Sequence, residues 1–244
     1  MKIVTRSIAL CMLTLSSHAA LAGDLPAAQQ KQLQEIEKIL QSNPALIPQL
    51  HQSLNQYVNA QVEYEKQLAQ HHDWLYSNPK QPFIGNPDSK NIIINFTDYN
   101  CPYCKKLEVA LEKIVSEVDD IKVVNIFVPI KHMMSQSTDV GAAQYSLKVW
   151  QHQPKQFSEV NRLLFAKNGL HDSSSLQKVA NKTDTASALE NDAQVAQLTA
   201  KNYQAFSELG LQGTPAMIIN GQVLAGYLPY PQLKEVIVRE ITKS

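Results

Sequence analysis

Cysteine is almost missing from this chain. Only three of its 244 residues are Cys: Cys11, Cys101 and Cys104. That count excludes a framework of structural disulfides, the usual staple of small exported domains. Net charge is missing as well, because 22 basic side chains face 22 acidic ones. The balance gives no electrostatic ground for binding nucleic acid or an acidic membrane surface. Apart from the first residues, no apolar run approaches the roughly 20 residues that span a bilayer. There is no internal repeat and no low-complexity tract. A second C-x-x-C is also absent, and zinc commonly needs one, or paired histidines, to complete four ligands. His71-His72 falls on a helical segment, and His132, His152 and His171 are scattered, so no metal site is expected.

What the chain does have begins at its N-terminus. Lys2 and Arg6 precede an apolar run from Ile8 to Leu15, and Ala20-Leu21-Ala22 supplies a small-x-small site. Residues 1–22 read as a secretory signal peptide cut after Ala22. Leu10 stands before Cys11, where a lipoprotein signal wants a small residue, so no lipid anchor is expected. Cleavage removes Lys2, Arg6 and Cys11. The mature chain is then expected to be soluble, with 20 basic and 22 acidic side chains and only Cys101 and Cys104.

A Gln-rich helical arm is expected over residues 26–78. Leu33, Ile36, Ile39 and Leu40 share a face before Asn43-Pro44 breaks the helix. Ile47, Leu50, Leu54, Tyr57, Tyr64, Leu68 and Leu75 then follow at spacings of three, four or seven, with Gln61 and His71 as polar seam positions. So narrow a stripe needs a partner surface. That surface is either the chain's own second domain or another copy of the arm.

Asn78-Pro79 and Gly85-Asn86-Pro87 read as turns that separate the arm, residues 23–79, from a domain over 80–244. Asn91 to Phe96 reads as a buried strand, Cys101 to Val118 as a helix, and Val123 to Ile130 as a second strand, a right-handed βαβ unit. Residues 136–210 are expected to form a helical insertion: 140–150, 157–165, 174–179 and 186–209. Asn220-Gly221 between two short strands predicts a two-residue hairpin. A last helix is expected over 231–241.

The chemistry sits in Cys101-Pro102-Tyr103-Cys104. A bridge over so short a loop stabilises little, but it suits a redox switch. At a helix start, unpaired backbone N–H groups favour negative charge on Cys101. Its pKa should fall, and thiolate is the form that attacks disulfides. Cys104 lies one turn on, facing the same way, and can resolve a mixed disulfide. Pro102 suits the first helical turn. Lys105 and Lys106 read as a solvated helix face that could add positive potential. Gly213-Thr214-Pro215-Ala216 precedes a strand, and a cis Thr214–Pro215 bond is expected, with Thr214 presenting backbone groups to an extended substrate.

Phe96-Thr97-Asp98-Tyr99-Asn100-Cys101-Pro102-Tyr103-Cys104-Lys105-Lys106, the insertion and Gly213-Thr214-Pro215 together resemble the DsbA family of bacterial periplasmic disulfide oxidoreductases. The likeness covers about residues 80–243. The arm, with Ile36, Ile39 and Asn43-Pro44, is similar to the N-terminal segment of ScsC-like and Com-type members. The resemblance implies an α/β thioredoxin fold with a helical insertion, preceded by an oligomerisation arm that makes a homodimer or homotrimer. It implies Cys101 and Cys104 as catalytic residues, with Thr214, Pro215, Pro102 and Tyr103 at the substrate. It also implies a periplasmic enzyme, with outer-membrane association left open, that needs no cofactor. Its partners would be unfolded or misoxidised exported proteins and a membrane redox protein of DsbB-like or DsbD-like kind.

Thr214 matches isomerase-like relatives, where DsbA has valine. Pro102-Tyr103 replaces the Pro-His of DsbA, which implies a less oxidising pair. Asn95 stands where the family carries a buried acid that helps deprotonate the resolving thiol. Water, a lysine or another acid must act there, or resolution is slow. The rival readings are a periplasmic chaperone or metal-handling protein with non-catalytic cysteines, and a kappa-type transferase, which export argues against.

Overall fold

The computed structural model describes residues 25–134 and 140–242. The expected signal peptide, Cys11 and residues 136–139 of the expected insertion lie outside the described residues. The chain divides into two compact units, one ending at Tyr57 and one beginning at Val58.

Helix α1 (Ala27–Ser42) is followed by a 3-10 turn (Pro44–Leu46) and the long α2 (Ile47–Tyr76). The break comes at Asn43 because a residue before proline is pushed out of helical geometry. Asn43 also closes α1, its side-chain amide donating to the Ile39 carbonyl at 2.9 Å. Nothing on α1 is buried. In the first unit, Ile36, Ile39, Leu40, Leu46 and Leu50 line an open apolar cleft.

The apolar stripe of α2 serves two ends. Leu54, Tyr57, Val58 and Val62 are exposed. Further along, Leu75 is fully buried in the second unit, with Tyr64 and Leu68 packed beside it. His71 was expected as a polar seam position, yet it is buried against the chain's own helix, its Nε2 2.6 Å from Glu208 Oε2. The second unit therefore starts inside α2, ahead of the turn at Asn78-Pro79.

That unit holds strands β1 (Phe83–Gly85), β2 (Ile92–Thr97), β3 (Lys122–Phe127), β4 (Ala216–Ile219) and β5 (Gln222–Ala225). Among the described residues they form one sheet in the order β1-β3-β2-β4-β5. The central β2 and β3 are parallel, joined by α3 (Pro102–Glu117), and every other pairing is antiparallel. Three residues bounded by Pro82 and Gly85 are too few for an alternation to show, so β1 escapes a sequence reading. The hairpin at Asn220-Gly221 has positive φ at both residues, 48° and 74°, as a type I′ turn requires.

After β3 come α4 (Ile130–Met134), α5 (Ala142–His152), α6 (Pro154–Ala166), α7 (Ser173–Thr183), a 3-10 turn (Ala186–Leu189) and α8 (Ala193–Glu208). The expected helix over 186–209 is split because Asp192 caps α8, accepting from the Gln194 and Val195 N–H groups. Helix α9 (Tyr230–Ile241) is the last described element.

Strand alternation sends Ile93, Val123, Met217 and Ile219 to one face, under Leu107, Leu111 and Ile114 of α3 and Leu233 and Ile237 of α9. Ile94, Phe96, Ile126 and Ile218 face the other way, onto Leu75 of α2 and Phe206 of α8. The insertion has its own core, into which Tyr99, Cys104 and Phe127 reach. This is the expected thioredoxin fold with a helical insertion, and it leaves the C-terminal end of β2 and the start of α3 at one edge of that core.

Candidate active site

Cys101 is the N-cap of α3, with extended backbone at φ −92°, ψ 119°, and Pro102 occupies the first helical position. A proline loses nothing there, because its missing N–H would have no partner. The cap places the Cys101 sulfur over the free N–H groups of the first turn. The Cys104 N–H donates to it at 3.4 Å. As a thiol, Cys101 donates to the Thr214 carbonyl at 3.2 Å. The Thr214–Pro215 bond is cis. Thr214 is half-buried and Pro215 buried, while Pro102 and Tyr103 are exposed. The Tyr103 ring lies 6.1 Å from that of Tyr227.

The two sulfurs are not bridged to each other, and their surroundings shift their acidities in opposite directions. Cys101 is drawn down to about 5, mainly because the Cys104 thiol donates to its thiolate, with help from backbone N–H groups and Thr214 against the cost of partial burial. Cys104, with 1% exposure, is pushed far up, first by burial and then by the negative charge beside it. One sulfur is an attacking thiolate at neutral pH, and the other is a thiol that must lose its proton to react. The stability this thiolate lends the reduced protein is present above the ordinary thiol value of 9.0 and is lost as pH falls through about 5. Iodoacetamide labelling of the reduced protein should therefore rise with a midpoint near pH 5 at Cys101. An ordinary thiol would respond near 9.0, and Cys104 should stay unlabelled throughout.

Lys105 is not on a solvated face. Its ammonium is half-buried and donates to the carbonyls of Lys167 and, at 2.8 Å, Gly169. Lys105 thus ties the loop after α6 to the cysteine helix. The same loop is held by the Asn100 side chain, which accepts from the His171 N–H at 2.8 Å. Lys106 stays exposed, 5.5 Å from the Tyr103 ring.

At the position where a buried acid was missed in the sequence, Asn95 donates to Asn125 at 2.8 Å. Two other acids are buried in this region. Asp98 is 3% exposed and Glu108 is 2% exposed. Burial raises Asp98 to about 6, and the charge of Cys101 adds to the rise against Lys131 and Lys105. Burial raises Glu108 to about 7, partly offset by Asn161, whose amide donates to it at 2.7 Å. Sequence reasoning passed over both. An aspartate after a strand reads as a turn residue, and Glu108 looks like any helix-surface glutamate until α6 covers it. Among the described residues, no cluster of three or more metal-ligating side chains occurs.

The family model described as Thioredoxin matches residues 77–239. A linker-deleted ScsC variant from Proteus mirabilis superposes with a TM-score of 0.70 at 30% identity, over 91% of this chain and 100% of that one. A periplasmic thioredoxin-like protein from Salmonella enterica serovar Typhimurium gives 0.64 at 33% identity, over 70% and 95%. Disulfide bond formation protein D of Bacillus subtilis is 24% identical over 175 residues, 66% of this chain and 77% of that protein. With its capped thiolate, buried second thiol and insertion, the chain belongs to the thioredoxin family and, within it, to the ScsC-like, DsbA-type thiol–disulfide oxidoreductases.

Proposed function

We propose that this protein is exported and reshuffles disulfides in misoxidised exported proteins, working as a homo-oligomer held together by its N-terminal arm. The observation that carries the reading is the Cys101 sulfur at the N-cap of α3, accepting from the Cys104 N–H at 3.4 Å, beside the buried Cys104 thiol. Cys101 attacks a substrate disulfide and forms a mixed one. Cys104 then releases the substrate if no substrate thiol does so first. Thr214, Pro215, Pro102 and Tyr103 surround the attacked bond and hold the substrate segment. Isomerisation needs a reduced enzyme, so a DsbD-like membrane reductant is the matching partner.

The oxidase reading also has an observation in its favour. A thiolate as stable as that of Cys101 makes the disulfide easy to reduce, hence a good oxidant, and a DsbB-like oxidant would then reset it. The periplasm is the compartment that fits either partner. No described helix is long and apolar enough to cross a membrane. Refolding of scrambled ribonuclease separates the two. Full-length reduced protein should restore ribonuclease activity well above a glutathione control. A protein that oxidises dithiols but leaves scrambled ribonuclease inactive is an oxidase.

A further inference from the structure

Resolution by Cys104 needs a proton acceptor. The sulfur is buried and its thiol is held protonated by burial and by the neighbouring charge. Bulk hydroxide reaches such a group poorly, so a nearby base decides the rate. Asn95 offers no titratable group, and its amide is committed to Asn125. Among the described residues, the buried carboxyls are Asp98 and Glu108. Glu108 accepts from Asn161 through Oε1 while its buried Oε2 has no partner, and the one charge prominent around it is the like charge of Glu112. Asp98 is differently placed. It sits three residues before Cys101, in the bend that leads from β2 into α3. Its carbonyl accepts from the Cys101 N–H at 3.0 Å, and its carboxylate accepts from the Asn100 N–H at 2.8 Å. Its backbone N–H reaches the Cys104 sulfur.

We propose that Asp98 accepts the Cys104 proton during resolution, in place of the acid missing at position 95. This inference rests on the exchange reading above. In the mixed disulfide, Cys101 is bonded to a substrate sulfur. The Cys104 thiol passes its proton to the Asp98 carboxylate. Its sulfur bonds to Cys101, the bond from Cys101 to substrate breaks, and the substrate sulfur leaves with the electron pair as a thiolate. The Cys101–Cys104 pair is oxidised and the substrate is reduced by the same two electrons. In the reverse direction Asp98 returns the proton to Cys104 as that sulfur leaves.

The surrounding charges suit a proton held in turn. Asp98 feels the Cys101 thiolate on α3 as a like charge, and Lys105 of α3 and Lys131 of α4 as opposite charges. While Cys101 is a thiolate, its charge favours protonated Asp98. Once Cys101 is bound in a mixed disulfide that charge is gone, and Asp98 is free to ionise and act as a base. The sign is the one resolution needs.

The test separates attack from resolution in the full-length chain by stopped-flow with a peptide disulfide. Asp98→Asn should form the mixed disulfide at the wild-type rate or faster, since an anion beside Cys101 has been removed. Resolution should slow by about 10²-fold, the usual scale for a lost general base. In the wild type, resolution should rise with pH through a group titrating at or below about 6 and then level off. In Asp98→Asn that rise should vanish, and Asp98→Glu should restore it. The carboxyl can also be followed in the unmodified protein by carbon NMR, where blocking Cys101 should lower its midpoint. Resolution by Asp98→Asn with the wild-type pH profile overturns the proposal, as does loss of the profile in Glu108→Gln instead. If the wild type forms no mixed disulfide at all, the exchange reading itself fails, and this inference with it.

Discussion

Cys101→Ser abolishes exchange, and Cys104→Ser traps it. The first variant loses the sulfur whose ionised form does the attacking, and a serine hydroxyl at a helix N-cap is no substitute. Activity on any disulfide should fall to the uncatalysed level, a loss of about 10³-fold or more on the scale seen when an activated nucleophile is removed. The second variant keeps the backbone N–H groups of the first helical turn and the Thr214 side chain, which favour the Cys101 thiolate, so attack persists. The serine hydroxyl can still donate where the Cys104 thiol did, whereas Cys104→Ala removes that hydrogen bond, the largest influence lowering Cys101. In the alanine variant the Cys101 pKa should therefore move up from about 5 while remaining below 9.0. Release now depends on an external thiol, and the advantage of an intramolecular partner is forfeit. Substrates should accumulate as covalent adducts visible by non-reducing electrophoresis and mass spectrometry. Full activity in the Cys101→Ser, Cys104→Ser double variant would restore the binding-protein reading.

The site was legible in the sequence to the extent that its chemistry is local. Cys101, Pro102 and Cys104 lie within one helical turn, and the N-cap logic that predicts a depressed pKa needs no tertiary information. Asn220-Gly221 is equally local, because its turn demands positive φ. Asp98 and Lys105 were not legible, and for one reason. Both have side chains that read as solvent-facing, and both are covered by parts of the chain distant in sequence. Lys105 meets the loop at 167–169 some sixty residues away, and Asp98 feels Lys131 of α4. The strand β1 was missed for want of length. The long stripe on α2 was read correctly as apolar but incompletely as to partner. Spacing alone cannot tell Leu54, which is exposed, from Leu75, which is buried in the sheet's own core.

That division of the stripe decides how the arm should be tested. Removing residues 26–78 would take away Leu75 and His71, both buried in the second unit, and would destabilise the fold together with the assembly. The cut belongs at Tyr57, where the first compact unit ends. Large apolar side chains at Leu33, Ile36, Ile39, Leu46, Ile47, Leu54 and Tyr57 are exposed in the isolated chain. Each is about half exposed, so covering it contributes about 1 kcal/mol, and several together suffice to assemble copies whose arms meet. A chain shortened to begin at Val58, or the full chain carrying Ile36→Glu and Leu54→Glu, should sediment as a monomer. Each should keep its Cys101 alkylation profile and its rate of dithiol oxidation, because nothing at the cysteines has changed. Scrambled ribonuclease should recover at least about tenfold more slowly. A second active site close by acts as a high local concentration of thiol for a substrate needing several exchanges, and the monomer forfeits it. A monomer that isomerises as fast as the intact protein removes the arm from the mechanism.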